Sequence, residues 1–418
     1  MAPTLLPALV LLACDSRCRA GVDWFAADVA PAAGAWAQYR LAATHTGQAP
    51  GGSRVGPELA LTWKSAAYAI GDYSASKGSP TLVDDTVYVG FDDGILRALD
   101  AADGSLRWDF ATRAAQAEVD RSDSANRGIH GTPAVAKGIV YIGAYDGWLY
   151  ALDADDGSLV WEAQLGDSIG ASPVLYQGGV FMAVELGDPE GKVDVLDAAT
   201  GCTCYETPPL GDNPHSSVSI DPVRGRFFVG SNNGRVSAFD LDPFVPAWVA
   251  AMEAGGDGSQ DGAVKSTVAV DGDTVYATSW DHSLHALDAE TGQRRFDFQT
   301  GGKTMSSPSL WQGVAYLGSH DHVLYAVDAD PDASYADDQA RERWRFATGN
   351  WILSSPTVVP EAGVLLVGSN DDSLYMLDLA DGHEVWSAGL DGHVSSVPTV
   401  VDGTVLVTDA SGTVWRFD

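Results

Sequence analysis

Two short segments combine imidazole and carboxylate groups, and they are the first candidates for chemistry. Residues 280–282 (Trp-Asp-His) and 319–322 (Ser-His-Asp-His) offer nitrogen and oxygen atoms that could bind zinc. Both segments lack the ligand spacing that is typical of zinc sites. We therefore interpret them as polar turn residues and expect no metal there.

A calcium site is the second candidate, because oxygen-bearing side chains alternate along residues 328–334 (Asp-Ala-Asp-Pro-Asp-Ala-Ser). Calcium loops of this kind need glycine at the sixth position and a bidentate glutamate at the twelfth. Ala333 and Gln339 stand at those positions. We expect an insertion with one or two helical turns in residues 336–343, and calcium binding is an alternative that titration tests.

The four cysteines bear on lipid attachment and disulfide bonding. The apolar residues 5–13 lead directly to Cys14 and resemble the lipobox of bacterial lipoproteins, a family in which this cysteine is lipidated. An exported, lipid-anchored protein of the bacterial envelope is expected, with an ordinary cleaved signal peptide as the alternative. A bridge between Cys202 and Cys204 would be strained, so Cys18, Cys202 and Cys204 are expected as unlinked or partly oxidised thiols.

The charge of the chain excludes several classes of partner. The 418 residues include 24 basic and 57 acidic side chains, a formal net charge of −33. Such a chain repels phosphate backbones and anionic lipid surfaces, so we expect no nucleic-acid binding and no membrane contact beyond an anchor. Aspartate supplies 46 of the acidic residues. Because aspartate favours turns, much of the charge is predicted to lie in the turns of a β-protein.

Internal repeats define the elements that position these residues. The pattern Leu-Asp-x-x-x-Gly-x-x-x-Trp of residues 99–108 returns at residues 152–161 and recurs in variant forms at a mean period of about 45 residues. The repeated aspartates are Asp100, Asp153, Asp197, Asp240, Asp288, Asp328, Asp378 and Asp418. An aromatic residue follows eight positions later, or sixteen after Asp328, and these residues are Trp108, Trp161, Tyr205, Trp248, Phe296, Trp344 and Trp386.

Each repeat contains short apolar strands separated by Asp-Gly or Asn-Gly turns, which tight hairpins need. Four short strands in about 40–50 residues are typical of a β-propeller blade. The last repeat ends at Asp418 without a fourth strand, whereas residues 59–63 form an orphan fourth strand containing Trp63. We predict an all-β, eight-bladed β-propeller of four-stranded antiparallel blades, closed by the N-terminal strand completing the C-terminal blade. Trp63 and the seven aromatic residues above are predicted as structural docking residues between blades.

The predicted organisation is a signal or lipobox segment at residues 1–14, a leader at residues 15–53 and the propeller at residues 54–418. The repeat resembles the tryptophan-docking repeat of quinoprotein propellers, known as PQQ-like repeats, most clearly at residues 98–108, 151–161 and 286–296. The leader residues 36–47 are similar to the segment that precedes the ring in many such bacterial proteins. The resemblance implies the fold, but it leaves the function open.

Two groups share these repeats, and they imply different functions. One group is the pyrroloquinoline-quinone alcohol dehydrogenases, which hold the quinone (PQQ) against a disulfide between adjacent cysteines and use a calcium ion. The other is a set of non-enzymatic propellers that includes the lipoprotein of the outer-membrane β-barrel assembly machinery. This chain has no adjacent cysteine pair, so we expect no catalytic residues, no cofactor and no metal. A quinone dehydrogenase and a cell-surface sensor or adhesion propeller are the alternatives.

The strand order places two kinds of loop on one face, namely the inter-blade loops and the turns between second and third strands. Positive or imidazole side chains are predicted to gather on this candidate binding face: Lys77, His130, His215, Lys265, His282, Lys303, His320 and His322. The expected partners are envelope proteins or peptide segments, bound by a monomer. Polar residues in turns are also common without any function.

Overall fold

Almost all of the regular structure is β-strand. The computed structural model describes residues 35, 37–40, 43–68, 78–116, 128–187, 189–252 and 262–418. In these ranges the helices are single turns, at Arg113–Gln116, Asp338–Arg341 and Pro360–Ala362. The second of these lies inside the predicted insertion. No helix in the described ranges has the length and apolar character needed to cross a bilayer.

Thirty-two strands form eight sheets of four strands each, and every adjacent pair is antiparallel. Blade 1 contains β2 (Thr81–Val83), β3 (Thr86–Gly90), β4 (Ile95–Asp100) and β5 (Leu106–Ala111). Blade 2 contains β6 (Ala134–Ala136), β7 (Ile139–Gly143), β8 (Trp148–Asp153) and β9 (Leu159–Gln164). Blade 3 contains β10 (Val174–Tyr176), β11 (Gly179–Leu186), β12 (Glu190–Asp197) and β13 (Thr203–Glu206). Blade 4 contains β14 (Ser219–Asp221), β15 (Arg226–Ser231), β16 (Arg235–Leu241) and β17 (Phe244–Ala251).

The second half of the ring repeats this plan. Blade 5 contains β18 (Ala269–Asp271), β19 (Thr274–Thr278), β20 (Ser283–Asp288) and β21 (Arg294–Gln299). Blade 6 contains β22 (Ser309–Trp311), β23 (Val314–Gly318), β24 (Val323–Asp328) and β25 (Glu342–Ala347). Blade 7 contains β26 (Thr357–Val359), β27 (Val364–Ser369), β28 (Ser373–Asp378) and β29 (Glu384–Gly389). Blade 8 contains β30 (Thr399–Val401), β31 (Thr404–Thr408), β32 (Val414–Phe417) and, as its fourth strand, β1 (Leu61–Lys64).

The ring is closed by the first strand of the chain, as the sequence predicts. β1 pairs antiparallel with β32, and Trp63 lies opposite Arg416. The pairing continues one residue beyond each strand, where Ala60 and Asp418 exchange backbone hydrogen bonds of 2.9 and 3.1 Å. Closure removes the open sheet edges that would otherwise invite aggregation.

The fourth-strand tryptophans dock each blade on the next. The indole Nε1 of Trp63 donates a hydrogen bond of 2.8 Å to the carbonyl of Ala101, the residue after the repeated aspartate of blade 1. The indole also lies flat against that blade's turn, since a Cβ on Gly104 would come within 2.6 Å of Trp63. The same bond, at 3.0–3.1 Å, recurs for these pairs: Trp108 to Ala154, Trp161 to Ala198, Trp248 to Ala289 and Trp344 to Leu379.

Three blades use other contacts at this position, because the next turn lacks the glycine. Tyr205 stacks on Phe244 with the ring centroids 4.2 Å apart. Phe296 lies 3.8 Å beneath the guanidinium of Arg341, which belongs to the insertion of the next blade. Trp386 makes an edge-to-face contact of 5.3 Å with Phe417 at the end of the chain.

The cysteine prediction was partly wrong. Cys202 is disulfide-bonded, whereas Cys204 forms no disulfide. The strained bridge between these two residues is therefore not formed, in agreement with the geometric argument. Cys14 and Cys18 lie outside the described residues, and so does the lipobox interpretation.

Candidate functional site

The first strands of the blades surround a funnel on the propeller axis. Seven inter-blade loops each contribute one residue at an equivalent position, a few residues before the first strand of the next blade. These residues are His130, Gly170, His215, Lys265, Met305, Leu353 and Ser395. The funnel has a volume of about 250 Å³. Lys77 has the corresponding position in the sequence of blade 1, but it lies outside the described residues.

A belt of hydroxyl groups runs around the funnel wall. Ser and Thr side chains at the start of each first strand accept a hydrogen bond from the backbone N–H of the equivalent residue in the preceding blade. The acceptors, at distances of 2.9–3.1 Å, are Ser79, Thr132, Ser172, Ser217, Thr267, Ser307 and Ser355. One link of the circle is missing, because Val397 has no hydroxyl to accept the N–H of Ser355.

The leader forms the floor of the funnel. It passes the first strands of blades 2 to 7 in order and accepts one backbone N–H from each, at 2.7–3.1 Å. The pairs are Ala37 with Val135, Gln38 (through its side chain) with Leu175, Ala43 with Ile220, Thr44 with Val270, Thr46 with Leu310 and Gly47 with Val358. Tyr39 lines the funnel itself, and its hydroxyl lies 3.4 Å from Ser307.

Two leader side chains beneath the floor are completely buried. Arg40 donates hydrogen bonds of 2.6 Å to the Pro308 carbonyl and to Ser309, and burial lowers its pKa to about 10. Burial lowers the pKa of His45 to about 3, so its imidazole is neutral. The Nε2 atom of His45 lies 2.9 Å from the carbonyl of Val218, and it carries the ring proton because a carbonyl only accepts.

The two imidazoles that line the funnel, His130 and His215, contact side chains of the adjacent blades. His130 stacks on Tyr145 at 4.2 Å, and its Nε2 lies 3.9 Å from Asp92. The Nδ1 atom of His215 lies 3.0 Å from the carboxylate of Glu185. Burial, together with the nearby Glu185 charge, raises the pKa of the Tyr145 hydroxyl. Tyr145 therefore remains a neutral hydroxyl at ordinary pH.

A basic and aromatic patch lies beside the funnel on blades 5 to 7. The ammonium groups of Lys265 and Lys303 lie 4.0 and 4.4 Å from the ring centroid of Trp280, so two cations contact one indole. His320 stacks almost parallel on Trp351, with the ring centroids 4.7 Å apart. Trp351 is 46% exposed. We call these residues, Lys265, Trp280, Lys303, His320 and Trp351, the docking patch.

The charge state of His320 follows from its surroundings. Burial lowers its pKa, and the positive charges of Lys303 and His282 lower it further. The imidazole that stacks on Trp351 is consequently neutral at pH 7. The Nε2 atom of His320 and the Nε1 atom of Trp280 are buried, and no described residue hydrogen-bonds to either.

The structure divides the sequence-predicted binding residues into three groups. His130, His215 and Lys265 line the funnel. Lys303 and His320 belong to the docking patch, which Lys265 also joins through its contact with Trp280. His282 and His322 occupy the left-handed position of a tight turn, with φ of 71° and 73°, where Gly94 and Gly147 stand in blades 1 and 2.

Sequence reasoning missed the residues that support the turns of this face. In five blades the turn aspartate binds the side chain four positions later, in the third strand. The pairs, at 2.5–2.9 Å, are Asp93 with Arg97, Asp146 with Tyr150, Asp281 with His285, Asp321 with Tyr325 and Asp371 with Tyr375. The Asp-x-x-x-Tyr spacing was available as a signal. Tyr39, Met305 and Leu353 had no such signal, because only the closed ring brings them together.

In the segments considered as metal sites, oxygen atoms accept hydrogen bonds from other residues of the protein. In the insertion of blade 6, Arg341 donates hydrogen bonds to the carbonyls of Asp330 and Ala333 at 2.8 and 3.2 Å. In the segment 280–282, the carboxylate of Asp281 binds His285. Within the described ranges, ligand-type atoms converge in only one group of three or more residues, the partly exposed Asp378, Asp381 and His383.

The fold and the funnel together define an eight-bladed propeller of the PQQ-like repeat class. A family model described as outer membrane protein assembly factor BamB matches residues 58–147, 232–331 and 332–418. The chain belongs to this family.

Comparison with individual proteins gives members of the same family and several alcohol dehydrogenases. The outer membrane protein assembly factor BamB of Salmonella typhimurium is 26% identical over 341 residues, which cover 80% of this chain and 83% of that protein. The quinohemoprotein alcohol dehydrogenase of Comamonas testosteroni is 28% identical over 268 residues, or 58% of this chain and 35% of that enzyme. The crystal structure of BamB from Moraxella catarrhalis matches with a TM-score of 0.67 and 18% identity, covering 86% of this chain and 100% of that chain. This last likeness shows the fold alone.

Proposed function

We propose that the protein is a non-enzymatic scaffold of the bacterial envelope, which binds other proteins of outer-membrane assembly through the funnel face. Family membership supports the assembly role, because the matched relatives carry that name and are covered over most of their length. The docking patch is the observation that carries the choice of face. It combines tryptophan and lysine in a body whose net charge is −33.

The chemistry of the patch specifies the partner segment. Tryptophan is enriched among the few residues that dominate binding energy in protein interfaces, and Trp351 presents nearly half of its surface to solvent. Lys265 and Lys303 add two positive charges next to Trp280. The partner is therefore an acidic segment with an apolar side chain that covers Trp351. Charge complementarity of this kind steers association and weakens at high salt.

Site-specific photo-crosslinking in the envelope tests this proposal. A photoreactive phenylalanine analogue is placed at Trp351 in the patch or at Val223 in the turn between β14 and β15, on the opposite face, where Val223 is 90% exposed. We expect one or a few discrete crosslinked proteins from position 351 only, and fewer of them with Lys303→Glu. Equal crosslinking from both positions would refute the choice of face.

The anchor and the location are part of the same proposal. We propose lipidation at Cys14, export, and action as a monomer in the periplasm or at the cell surface. Cys14→Ser should abolish incorporation of labelled palmitate and release the protein from the membrane fraction. Retention of the label in this variant would contradict lipidation at Cys14.

The quinone alternative predicts a different result. The resemblance to the quinone dehydrogenases implies a disulfide between adjacent cysteines, and this chain has no such pair. Titration with pyrroloquinoline quinone and calcium should therefore leave the absorption spectrum of the quinone unchanged, and a dye-linked alcohol assay should show no turnover. A spectral shift with turnover would replace the scaffold proposal with the enzyme.

A further inference from the structure

We propose that the axial funnel is a binding site for a carboxylate group attached to a small apolar residue, as at the carboxy terminus of a peptide or in a free small acid. The site differs from the docking patch in its geometry. It is a blind cavity closed by the leader, whereas the patch is an open surface. A blind cavity admits a chain end or a small molecule, but not a passing chain.

The hydroxyl belt supplies hydrogen-bond donors to this cavity. Ser172, Ser217, Thr267 and Ser355 line the funnel, and each oxygen already accepts a backbone N–H at 2.9–3.0 Å. No described residue accepts the O–H proton of these four side chains. Each hydroxyl is thus left with a proton to donate toward the axis. A ring of converging donors suits the oxygens of a carboxylate and does not suit a cation.

The charges in the funnel wall agree with an anionic ligand. Lys265, His130 and His215 line the wall, and none of the described lining residues carries a carboxylate. The two carboxylates nearest to these imidazoles, Asp92 and Glu185, are 5% and 7% exposed. The carboxylate of Glu185 also contacts His215, whose Nδ1 atom lies 3.0 Å away.

The opposite side of the funnel accommodates an apolar group. Met305, Leu353 and Val397 form this part of the wall. A volume of about 250 Å³ corresponds to about eight waters at 30 Å³ each, and it is below the range of drug-sized pockets. The cavity therefore takes one residue and its terminal carboxylate rather than a longer segment.

Isothermal titration of the purified full chain tests the carboxylate. The probes are acetyl-Ala-Ala-Leu with a free carboxyl end, the same peptide as its amide, and 4-methylpentanoate as a free acid of similar shape. We expect saturable binding of the peptide acid and at least tenfold weaker binding of the amide. Binding of 4-methylpentanoate as tightly as the peptide acid would support the site and assign it to a small acid. Equal binding of acid and amide, or no binding of either acid, would overturn the proposal.

Variants separate this proposal from the docking patch. Ser395→Asp adds a negative charge to the funnel wall on blade 8, away from Trp280, and should abolish binding of the peptide acid. Lys265→Met should weaken it at least fivefold, whereas Lys137→Met on the exposed opposite face should not change it. The thermal midpoint of each variant shows that the ring is intact. Because Ser395 is not one of the patch residues, crosslinking from position 351 should persist in Ser395→Asp, so either proposal can fail alone.

Discussion

His285 shows how one buried side chain sets the pH response of a blade. Its Nε2 lies 2.9 Å from Asp281 and its Nδ1 lies 2.7 Å from Asp297. Burial alone would lower the pKa of His285, but the hydrogen bonds to both carboxylates outweigh burial, and the pKa is raised. The protonated imidazole thus bridges two carboxylates. Blades 2, 6 and 7 have tyrosine at this position.

Substituting His285→Tyr should remove this pH dependence, because tyrosine does not titrate in the same range. A raised folded pKa stabilises the protein fully below the unfolded pKa, which is about 6.5, and the effect is lost as pH rises through the folded value. Hydrogen bonds to charged groups contribute about 1.5–3 kcal/mol. We expect the unfolding free energy of wild type minus variant, from urea titrations, to fall by about that amount between pH 6 and pH 9. A difference that is constant with pH would refute the bridge.

The missing link of the hydroxyl belt gives a second prediction for a single residue. Val397→Thr provides a hydroxyl for the N–H of Ser355, as Thr132 and Thr267 do in blades 2 and 5. One net hydrogen bond should raise the unfolding free energy by about 0.5–1.5 kcal/mol. The control is Val400→Thr in β30, the strand that follows Val397, where the side chain is fully buried. Burying that hydroxyl without a partner should lower stability by about 1–3 kcal/mol, so a loss in both variants would contradict the belt argument.

At the scale of elements, each blade is a four-stranded antiparallel sheet whose fourth strand contacts the next blade. The fourth strand presents its tryptophan to a glycine in the next blade, and the glycine adopts a left-handed backbone that also turns the chain. Gly157, with φ of 73°, faces Trp108 in this way. The glycine therefore serves both the turn and the inter-blade contact.

Two glycine variants separate these two roles. Gly157→Ala and Gly138→Ala both place a Cβ on a left-handed backbone, with φ of 73° and 75°, which costs about 1–2 kcal/mol. Only the Cβ at position 157 would also meet Trp108, at 2.6 Å, since nothing lies within 4 Å of the one at position 138. We expect Gly157→Ala to lose about 1–3 kcal/mol more in urea unfolding. Equal losses would show that the docking contact tolerates the methyl group.

At the scale of the whole molecule, the leader connects blades that are far apart in sequence. It accepts one N–H from the first strand of each blade from 2 to 7. These bonds lie on the axis, where all blades converge. The leader therefore stabilises the ring as a unit and also closes the funnel.

Deleting residues 37–47 should weaken every one of these blades. Each lost hydrogen bond contributes about 0.5–1.5 kcal/mol, so we expect a total loss of several kcal/mol and a clear fall in the thermal midpoint. Hydrogen exchange should become faster at Val135, Val270 and Val358, which lie on three separate blades. Faster exchange confined to one blade would show that the leader is a local contact only.

Much of the architecture could be predicted from the repeats. The count of aspartates and aromatics, the missing fourth strand after Asp418 and the orphan strand at Trp63 together required eight blades and N-terminal closure. The strand order alone also places His130, His215 and Lys265 on one face of the propeller, and these three residues line the funnel. These inferences depend on periodic features, which a single sequence displays directly.

Only the tertiary structure shows which residues of that face contact one another. The contacts of Lys265 and Lys303 with Trp280, and the stack of His320 on Trp351, join parts of the chain that lie in different blades and inter-blade loops. The belt hydroxyls bond to residues about one repeat away, and the leader bonds to strands as much as 311 residues away, as Gly47 does to Val358. The physical reason is that short-range patterns specify strands and turns, whereas a cavity on the axis exists only once every blade has closed the ring.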